Sequence, residues 1–404
     1  MSAMLRDAQN YTVKVRSTVI WPLGIDRFGT AQGTGFFIDK TKGWILTNAH
    51  VAQSSPATVE VAFGDAETVW LAVERIYVDN HLDVAVLRLA PEKVPQAATQ
   101  APLGCTQKVA QGSAVVAYGH PRELNFTATR GIVSSIRTLG NQEYVQMDAS
   151  LNPGNSGGAL LSVDAGEVIG ISTASSGGGL GFAVPIRHVC PIIDALKKGL
   201  DPTLPSLPVY WLRSASSETL TVARAFPNAP ADYPLKGGEV VLGLAGGARF
   251  EGVPDLLTAL RGRQDSVRLA VRRHGADVEI DTPITPSKSP LLKEAVVASG
   301  MLIEQQDMAD AEASTMPMLQ ITHIKRGEAA ELAGLRVGDM IDDVNGRRFD
   351  TVRDLHAWLS AQPEGEAVKL LIRRRAFSAT RRTSGDYLRL EVALDDVTLL
   401  QARR

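Results

Sequence analysis

The sequence predicts a mainly β chain of several domains, on two observations. Short β-branched runs separated by turn residues recur through the first half, and the second half repeats one pattern between Pro-rich stretches. Runs at Gly35 to Asp39, Trp44 to Thr47, Thr58 to Phe63, Val69 to Asp79 and Val84 to Leu89 read as the strands of one barrel. Ala90 to Gly104, with Pro91, Pro95 and Pro102, carries the chain to a second barrel. Its expected strands are Ser113 to Tyr118, Phe126 to Ile136, Tyr144 to Met147, Ala159 to Leu161, Val168 to Thr173 and Gly181 to Ala183. Apolar residues at helical spacing make Ile186 to Leu200 a closing helix. Ahead of the first barrel, Tyr11 to Trp21 is β-branched, and its two aromatics read as core.

Pro-rich linkers at 201–208 and 283–290 are extended and stiff, and divide the chain into a first domain at 1–200 and segments at 209–282 and 291–404. Those segments repeat each other. Lys236-Gly237-Gly238-Glu239-Val240-Val241 matches Arg336-Val337-Gly338-Asp339-Met340-Ile341, Arg249-Phe250 matches Arg348-Phe349, and Asp255-Leu256-Leu257 matches Asp354-Leu355-His356.

At 404 residues the chain exceeds what one hydrophobic core covers. With 44% hydrophobic residues, 21% charged and a net charge of −2, it has no global bias toward polyanions, and no nucleic-acid partner is expected. No apolar run approaches the ~20 residues of a membrane span. Met1 to Asn10 is polar and lacks both the charged head and the apolar core of an export signal, so the chain as written reads as cytoplasmic. Cys105 and Cys190 read as small buried side chains rather than a disulfide. The scattered histidines suggest no metal site, and no cofactor is expected.

The chemistry centres on Asn152-Pro153-Gly154-Asn155-Ser156-Gly157-Gly158. Glycines crowd one serine with residues that accept positive φ and close backbone approach, which suits a sharp turn that presents a hydroxyl and points amides inward. A nucleophilic serine needs a base, and the base needs a group to hold its tautomer. His50, in the turn after the strand Gly43 to Thr47, and Asp83, just ahead of the run Val84 to Leu89, supply them. Their chain order, His50, Asp83, Ser156, is the order found on the two-barrel chymotrypsin-like fold. The expected reaction is acyl transfer to water, with the oxyanion held at Gly154, Asn155 and Ser156.

The segments Gly33-Thr34-Gly35-Phe36-Phe37-Ile38, Leu46-Thr47-Asn48-Ala49-His50-Val51, Leu82-Asp83-Val84-Ala85-Val86-Leu87, Gly131-Ile132-Val133-Ser134, Gly154 to Leu160 and Gly181-Phe182-Ala183-Val184-Pro185 occur in one order. By them the chain resembles the HtrA/Deg family of chymotrypsin-like serine proteases with C-terminal PDZ domains. The resemblance implies proteolysis of unfolded proteins, assembly from trimers and action outside the cytoplasm, in the periplasm or an equivalent space. His120 stands where the family has asparagine in Gly-Asn-Pro and reads as a loop hydrogen-bonder.

The segment 291–404, through Ala329 to Asp339, resembles the family's PDZ domains, which take a peptide as an added strand and hold its terminal carboxylate on backbone amides. Ser299-Gly300-Met301-Leu302 fits the carboxylate-binding place, so peptide C-termini are expected partners there. The first copy has Tyr210-Trp211-Leu212 with no glycine and reads as a degenerate PDZ-like spacer. In the protease domain, Ser150, Leu151 and Ser172 are expected to line the substrate pocket. With no carboxylate to pair a cation, that pocket suits small or medium aliphatic side chains. Two other readings stay open at this point: a catalytically silent PDZ scaffold and a holdase chaperone.

Overall fold

Ala8 and Tyr11, three residues apart, put an apolar stripe on an N-terminal helix that the polar composition of this stretch does not announce, α1 (Ser2–Tyr11). The computed structural model describes residues 2–402, apart from 65–68, 121–125, 140, 176–179, 213–218, 228, 307–317 and 375–385. Next come β1 (Thr12–Val19), β2 (Gly29–Asp39), β3 (Trp44–Thr47), the short α2 (Ala49–Ala52), β4 (Ala57–Ala62), β5 (Leu71–Ala72), β6 (Glu74–Asp79) and β7 (Val84–Arg88). They form a sheet ordered β5-β4-β1-β2-β3-β7-β6. Trp44 to Thr47 and Val84 to Leu87 are buried on both faces, which is why they read as continuous apolar runs.

The second β body comprises β8 (Ala114–Gly119), β9 (Thr127–Leu139), β10 (Gln142–Met147), β11 (Ala159–Ser162), β12 (Val168–Ser175) and β13 (Gly181–Pro185). These close into a barrel ordered β10-β13-β12-β11-β8-β9, capped by α3 (Ile186–Lys197). The strands fall on the expected runs, with ends displaced by a few residues. Cys105 and Cys190 form a disulfide, with Cα atoms 5.9 Å apart. This corrects the expectation of two separate buried thiols. Sequence alone cannot bring together residues separated by 85 positions, whereas α3 returns across the barrel and sets Cys190 beside the loop that holds Cys105.

Beyond α3, β14 (Val209–Trp211), β15 (Leu220–Ala225), β16 (Val240–Leu244), α4 (Val253–Leu260), β17 (Ser266–Arg273) and β18 (Ala276–Pro283) make a five-stranded sheet with one helix. Its ends meet: Ser206 and Thr285 exchange backbone hydrogen bonds, and Leu207 and Ile284 are buried in its core.

The last part holds β19 (Glu294–Ala298), β20 (Met301–Gln306), β21 (Met318–Ile324), α5 (Ala329–Leu332), β22 (Met340–Val344), α6 (Val352–Leu359), β23 (Ala367–Arg374), β24 (Asp386–Ala393) and β25 (Thr398–Gln401), in the sheet order β24-β23-β22-β21-β20-β19-β25. Residues 18–30 and 53–58 group with this last body, and the remainder of the chain up to Ser289 forms another.

The internal repeat has a physical basis. In the first copy Glu239 accepts the Lys236 amide (2.9 Å) and pairs with Arg273 at the end of β17; in the second Asp339 accepts the Arg336 amide (2.8 Å) and pairs with Arg374 at the end of β23. Gly238 and Gly338, at φ 86 and φ 96, turn the chain ahead of each acid. Their amides bond to the carbonyls of Val222 and Ile321.

Among the described residues no helix is long and apolar enough to cross a membrane. Because the disulfide closes a loop of 85 residues, reduction or Cys105→Ser should destabilise the protein by about 4 kcal/mol and lower its Tm by roughly 10 °C, measured by thermal melts with and without reductant.

Candidate active site

Two turns and one glycine-rich loop build the site. β3 runs into α2, and this strand-to-helix step puts His50 at the surface with its side chain 49% exposed, while Ala49, Val51 and Ala52 are buried beneath it. Asp83 ends the turn between β6 and β7 at φ 55, a left-handed conformation that aspartate tolerates better than most side chains. His50 Nδ1 lies 2.9 and 2.8 Å from the two Asp83 carboxylate oxygens, and the His50 amide donates to Oδ1 at 2.9 Å. The Asn48 side-chain amide donates to the Asp83 carbonyl at 2.8 Å, tying both turns together. Ser156 sits between Gly154 (φ 101) and Gly157 (φ 84) and donates its hydroxyl to the Thr173 carbonyl at 3.0 Å.

Thr173 was not singled out from the sequence. Its hydroxyl donates to Asp83 Oδ2, so one β12 residue touches both the aspartate and the serine. The available signal was the Ser172-Thr173 pair, two hydroxyls closing the otherwise apolar run Val168 to Ile171. Burial and the charge on Asp83 push the Tyr144 phenol above its ordinary pKa, so it stays protonated beside the site.

The nucleophile loop is clasped by β2. Thr34 donates its amide to the Ser156 carbonyl (2.8 Å) and its hydroxyl to the Gly154 carbonyl (2.7 Å), and the Thr47 hydroxyl in turn donates to the Thr34 carbonyl (2.7 Å). A Cβ at Gly157 would lie 2.0 Å from the Thr34 carbonyl oxygen, and one at Gly33 2.7 Å from the Ser156 carbonyl oxygen. His120 is a loop hydrogen-bonder as expected: its amide donates to the Thr34 hydroxyl (3.0 Å), and its Nδ1 accepts the Phe126 amide (3.3 Å).

Within the loop, the amides of Asn155, Gly157 and Gly158 donate to the carbonyls of Asn152, Ser172 and Asn155. The Asn155 amide is therefore committed to the turn, which removes it from the expected oxyanion donors. Among the described residues no partner takes the amides of Gly154 and Ser156, and two such donors are what an oxyanion requires.

Of the expected pocket residues, Ser150 is exposed and Leu151 packs partly buried against the second barrel's core. Ser172 is 1% exposed on β12, with its backbone bonded to Gly157 and Gly158. Asp148, the nearby carboxylate, accepts the Ile132 amide at 2.7 Å and so belongs to the strand end.

The expected peptide-binding residues are corrected by the topology. Ser299 (φ 52) and Gly300 (φ 78) form a two-residue turn that pairs β19 with β20 directly, Ala298 opposite Met301. The Ser299 amide donates to the Asp395 carbonyl (2.6 Å), and β20 carries β21 on its other edge. Met301 and Leu302 are buried, Leu302 in a cluster with Leu23, Val297 and Ala402. A peptide cannot add beside Met301 while β19 lies there.

The site and fold define a chymotrypsin-like serine endopeptidase followed by a PDZ domain. A trypsin-like peptidase domain model matches residues 33–171, and a PDZ domain model matches residues 320–374. A probable periplasmic serine endoprotease, DegP-like, of Pseudomonas fluorescens is 31% identical over 385 residues, spanning 87% of this chain and 79% of that protein. The periplasmic pH-dependent serine endoprotease DegQ of Escherichia coli is 27% identical, over 84% of this chain and 78% of that protein. The crystal structure of a serine endoprotease from Yersinia pestis superposes with a TM-score of 0.51 at 25% identity, covering 71% of this chain and 98% of that one. The chain belongs to the HtrA/Deg family of serine endoproteases.

Thr173→Val removes one hydrogen bond to the Asp83 carboxylate while keeping the carbonyl that Ser156 meets. It should lower kcat about tenfold with KM unchanged in steady-state peptide cleavage.

Proposed function

We propose that the protein is an extracytoplasmic endopeptidase that cuts unfolded polypeptide after small or medium aliphatic residues. His50 takes the Ser156 proton as the hydroxyl attacks the peptide carbonyl, Asp83 holds the imidazole by Nδ1 and stabilises its cationic form, and the amides of Gly154 and Ser156 receive the oxyanion. The observation that carries this reading is His50 Nδ1 at 2.8 to 2.9 Å from both Asp83 oxygens, with Thr173 joining Asp83 to Ser156. The imidazole is thereby oriented with Nδ1 toward the acid, as a base needs.

Two further observations support the compartment. The Cys105–Cys190 bridge suits an oxidising environment, and the relatives named above are described as periplasmic. Assembly from trimers follows from the family resemblance. Capture of peptide C-termini by the second PDZ domain requires β19 to yield the edge of β20, because β-addition needs an unpaired strand.

The substrate preference rests on the pocket. With Asp148 occupied at the strand end, a Lys or Arg side chain would lose water for no carboxylate partner, at a cost of several kcal/mol. Val, Ala or Ile gains about 2 kcal/mol from burial against Leu151.

Two measurements test the reading. Ser156→Ala should leave the melting temperature unchanged, abolish fluorophosphonate labelling and reduce casein cleavage by about 10⁶, as loss of the serine does in a comparable triad; cleavage within tenfold of wild type refutes the assignment. Mass-spectrometric mapping of cuts in a denatured protein mixture should place most of them after Val, Ala or Ile. A majority after Lys or Arg would overturn the pocket assignment.

A further inference from the structure

The turn that presents Asp83 is held from outside the protease domain. Asp79, at the end of β6, accepts the Leu82 amide on Oδ1 at 2.8 Å, closing the turn Asp79 to Asp83. Its other oxygen, Oδ2, accepts the Tyr77 hydroxyl at 2.9 Å and Arg261 Nη1. Arg261 comes from the far side of the linker, as the C-terminal cap of α4 in the first PDZ-like copy. The same Nη1 reaches Tyr77 Oη (3.1 Å) and the Pro202 carbonyl (3.5 Å). Side chains of Arg261 and Asp79 are 2% and 4% exposed. His81, within the same turn, is pulled below its ordinary pKa by burial, so it brings no second cation at neutral pH.

Stability is a poor explanation for this pair. Arginine is rarely fully buried, and a buried ion pair is often no more stable than an apolar replacement. Here Arg261 Nε and Nη2 carry no hydrogen bond among the described residues, which makes the burial costlier still. What the pair does provide is direction. It fixes a carboxylate whose second oxygen defines the turn, and that turn ends in the strained backbone of Asp83.

We propose that Arg261 is a positioning residue for Asp83, acting through Asp79, and that the first PDZ-like copy serves the protease as a fixed support for the catalytic turn. The inference rests on the role given to Asp83 above. Misplacing a catalytic group by about 1 Å can cost 10²-fold in rate, so a support distant from substrate acts on kcat and leaves substrate binding alone.

The test uses the full chain and compares three variants in steady-state peptide cleavage and in fluorophosphonate labelling. Arg261→Met should lower kcat and the labelling rate at least tenfold with KM within twofold of wild type, and Arg261→Lys should recover part of the loss. Arg187→Ala is the control: Arg187 on α3 pairs with Glu143 and with Asp255 of α4, bridging the same two parts of the chain away from the Asp79 turn, and its loss should change kcat less than twofold. Arg261→Met that retains kcat within twofold, or an equal loss in Arg187→Ala, overturns the proposal. Should Arg261→Met not fold, Tyr77→Phe deletes only the hydroxyl shared by Arg261 and Asp79, and is expected to lower kcat severalfold; an unchanged kcat there also overturns it. A wild-type chain that neither cleaves nor labels would instead refute the endopeptidase reading itself.

Discussion

His50 and Ser156, the proposed base and nucleophile, belong to different β bodies, and the contact that makes one site of them is the seating of the Ser156 loop on β2. Thr34 supplies both hydrogen bonds, one from its amide and one from its hydroxyl, to the carbonyls on either side of Asn155. Among the described residues no partner takes the amides of Gly154 and Ser156, the proposed oxyanion donors. Close approach is possible because Gly33 and Gly157 have no Cβ, so the glycines act on both sides of one contact.

Asp83 is the most constrained acid of the site. It accepts from the His50 ring, the His50 amide and the Thr173 hydroxyl, while its own carbonyl is held by Asn48. A carboxylate that accepts several donors is held still, as the imidazole it orients needs. Its positive φ costs of order 1 kcal/mol or more, and such a conformation persists only where the surroundings over-determine it. Those surroundings include Asp79, whose buried guanidinium partner lies in another domain-sized part of the chain.

Much of this was legible in the sequence because it follows from local pattern. β3 and β7 showed as unbroken apolar runs, the Ser156 loop as clustered glycines, and the duplicated PDZ-like pattern as a repeated Gly-acid pair. What was illegible depends on long-range pairing. Nothing adjacent to Cys105 announces Cys190, and Thr173 differs from an ordinary strand threonine only by what lies across from it. The Ser299-Gly300 pair has the composition of a carboxylate-binding loop and of a tight hairpin turn alike. β25, nearly 100 residues downstream, joins the outer edge of β19, and Ser299 bonds to Ala393 and Asp395, so distant segments favour the hairpin. Nothing local to Arg261, which follows Leu260 at the end of α4, marks it as buried.

The two copies of the repeat show how one local device serves different ends. Each keeps an acid, Glu239 or Asp339, bonded to an amide three residues earlier and paired with the arginine that ends β17 or β23, so the turn architecture is common to both. They diverge at the helix that follows. In the first copy α4 ends in an arginine that enters the turn ahead of Asp83, and Asp255 at its other end meets Arg187 of α3. Both helices pack on their own sheets, with Leu256 and Leu260 of α4 in the core with Val222 and Val267, and Leu355 and Leu359 of α6 in the core with Val296 and Val368. A helix committed to a neighbouring domain through a buried charge cannot easily shift to admit a peptide between itself and its sheet, since the charge would be left unpaired. The buried arginine of the first copy thus ties α4 to the turn ahead of Asp83, the role proposed for it above.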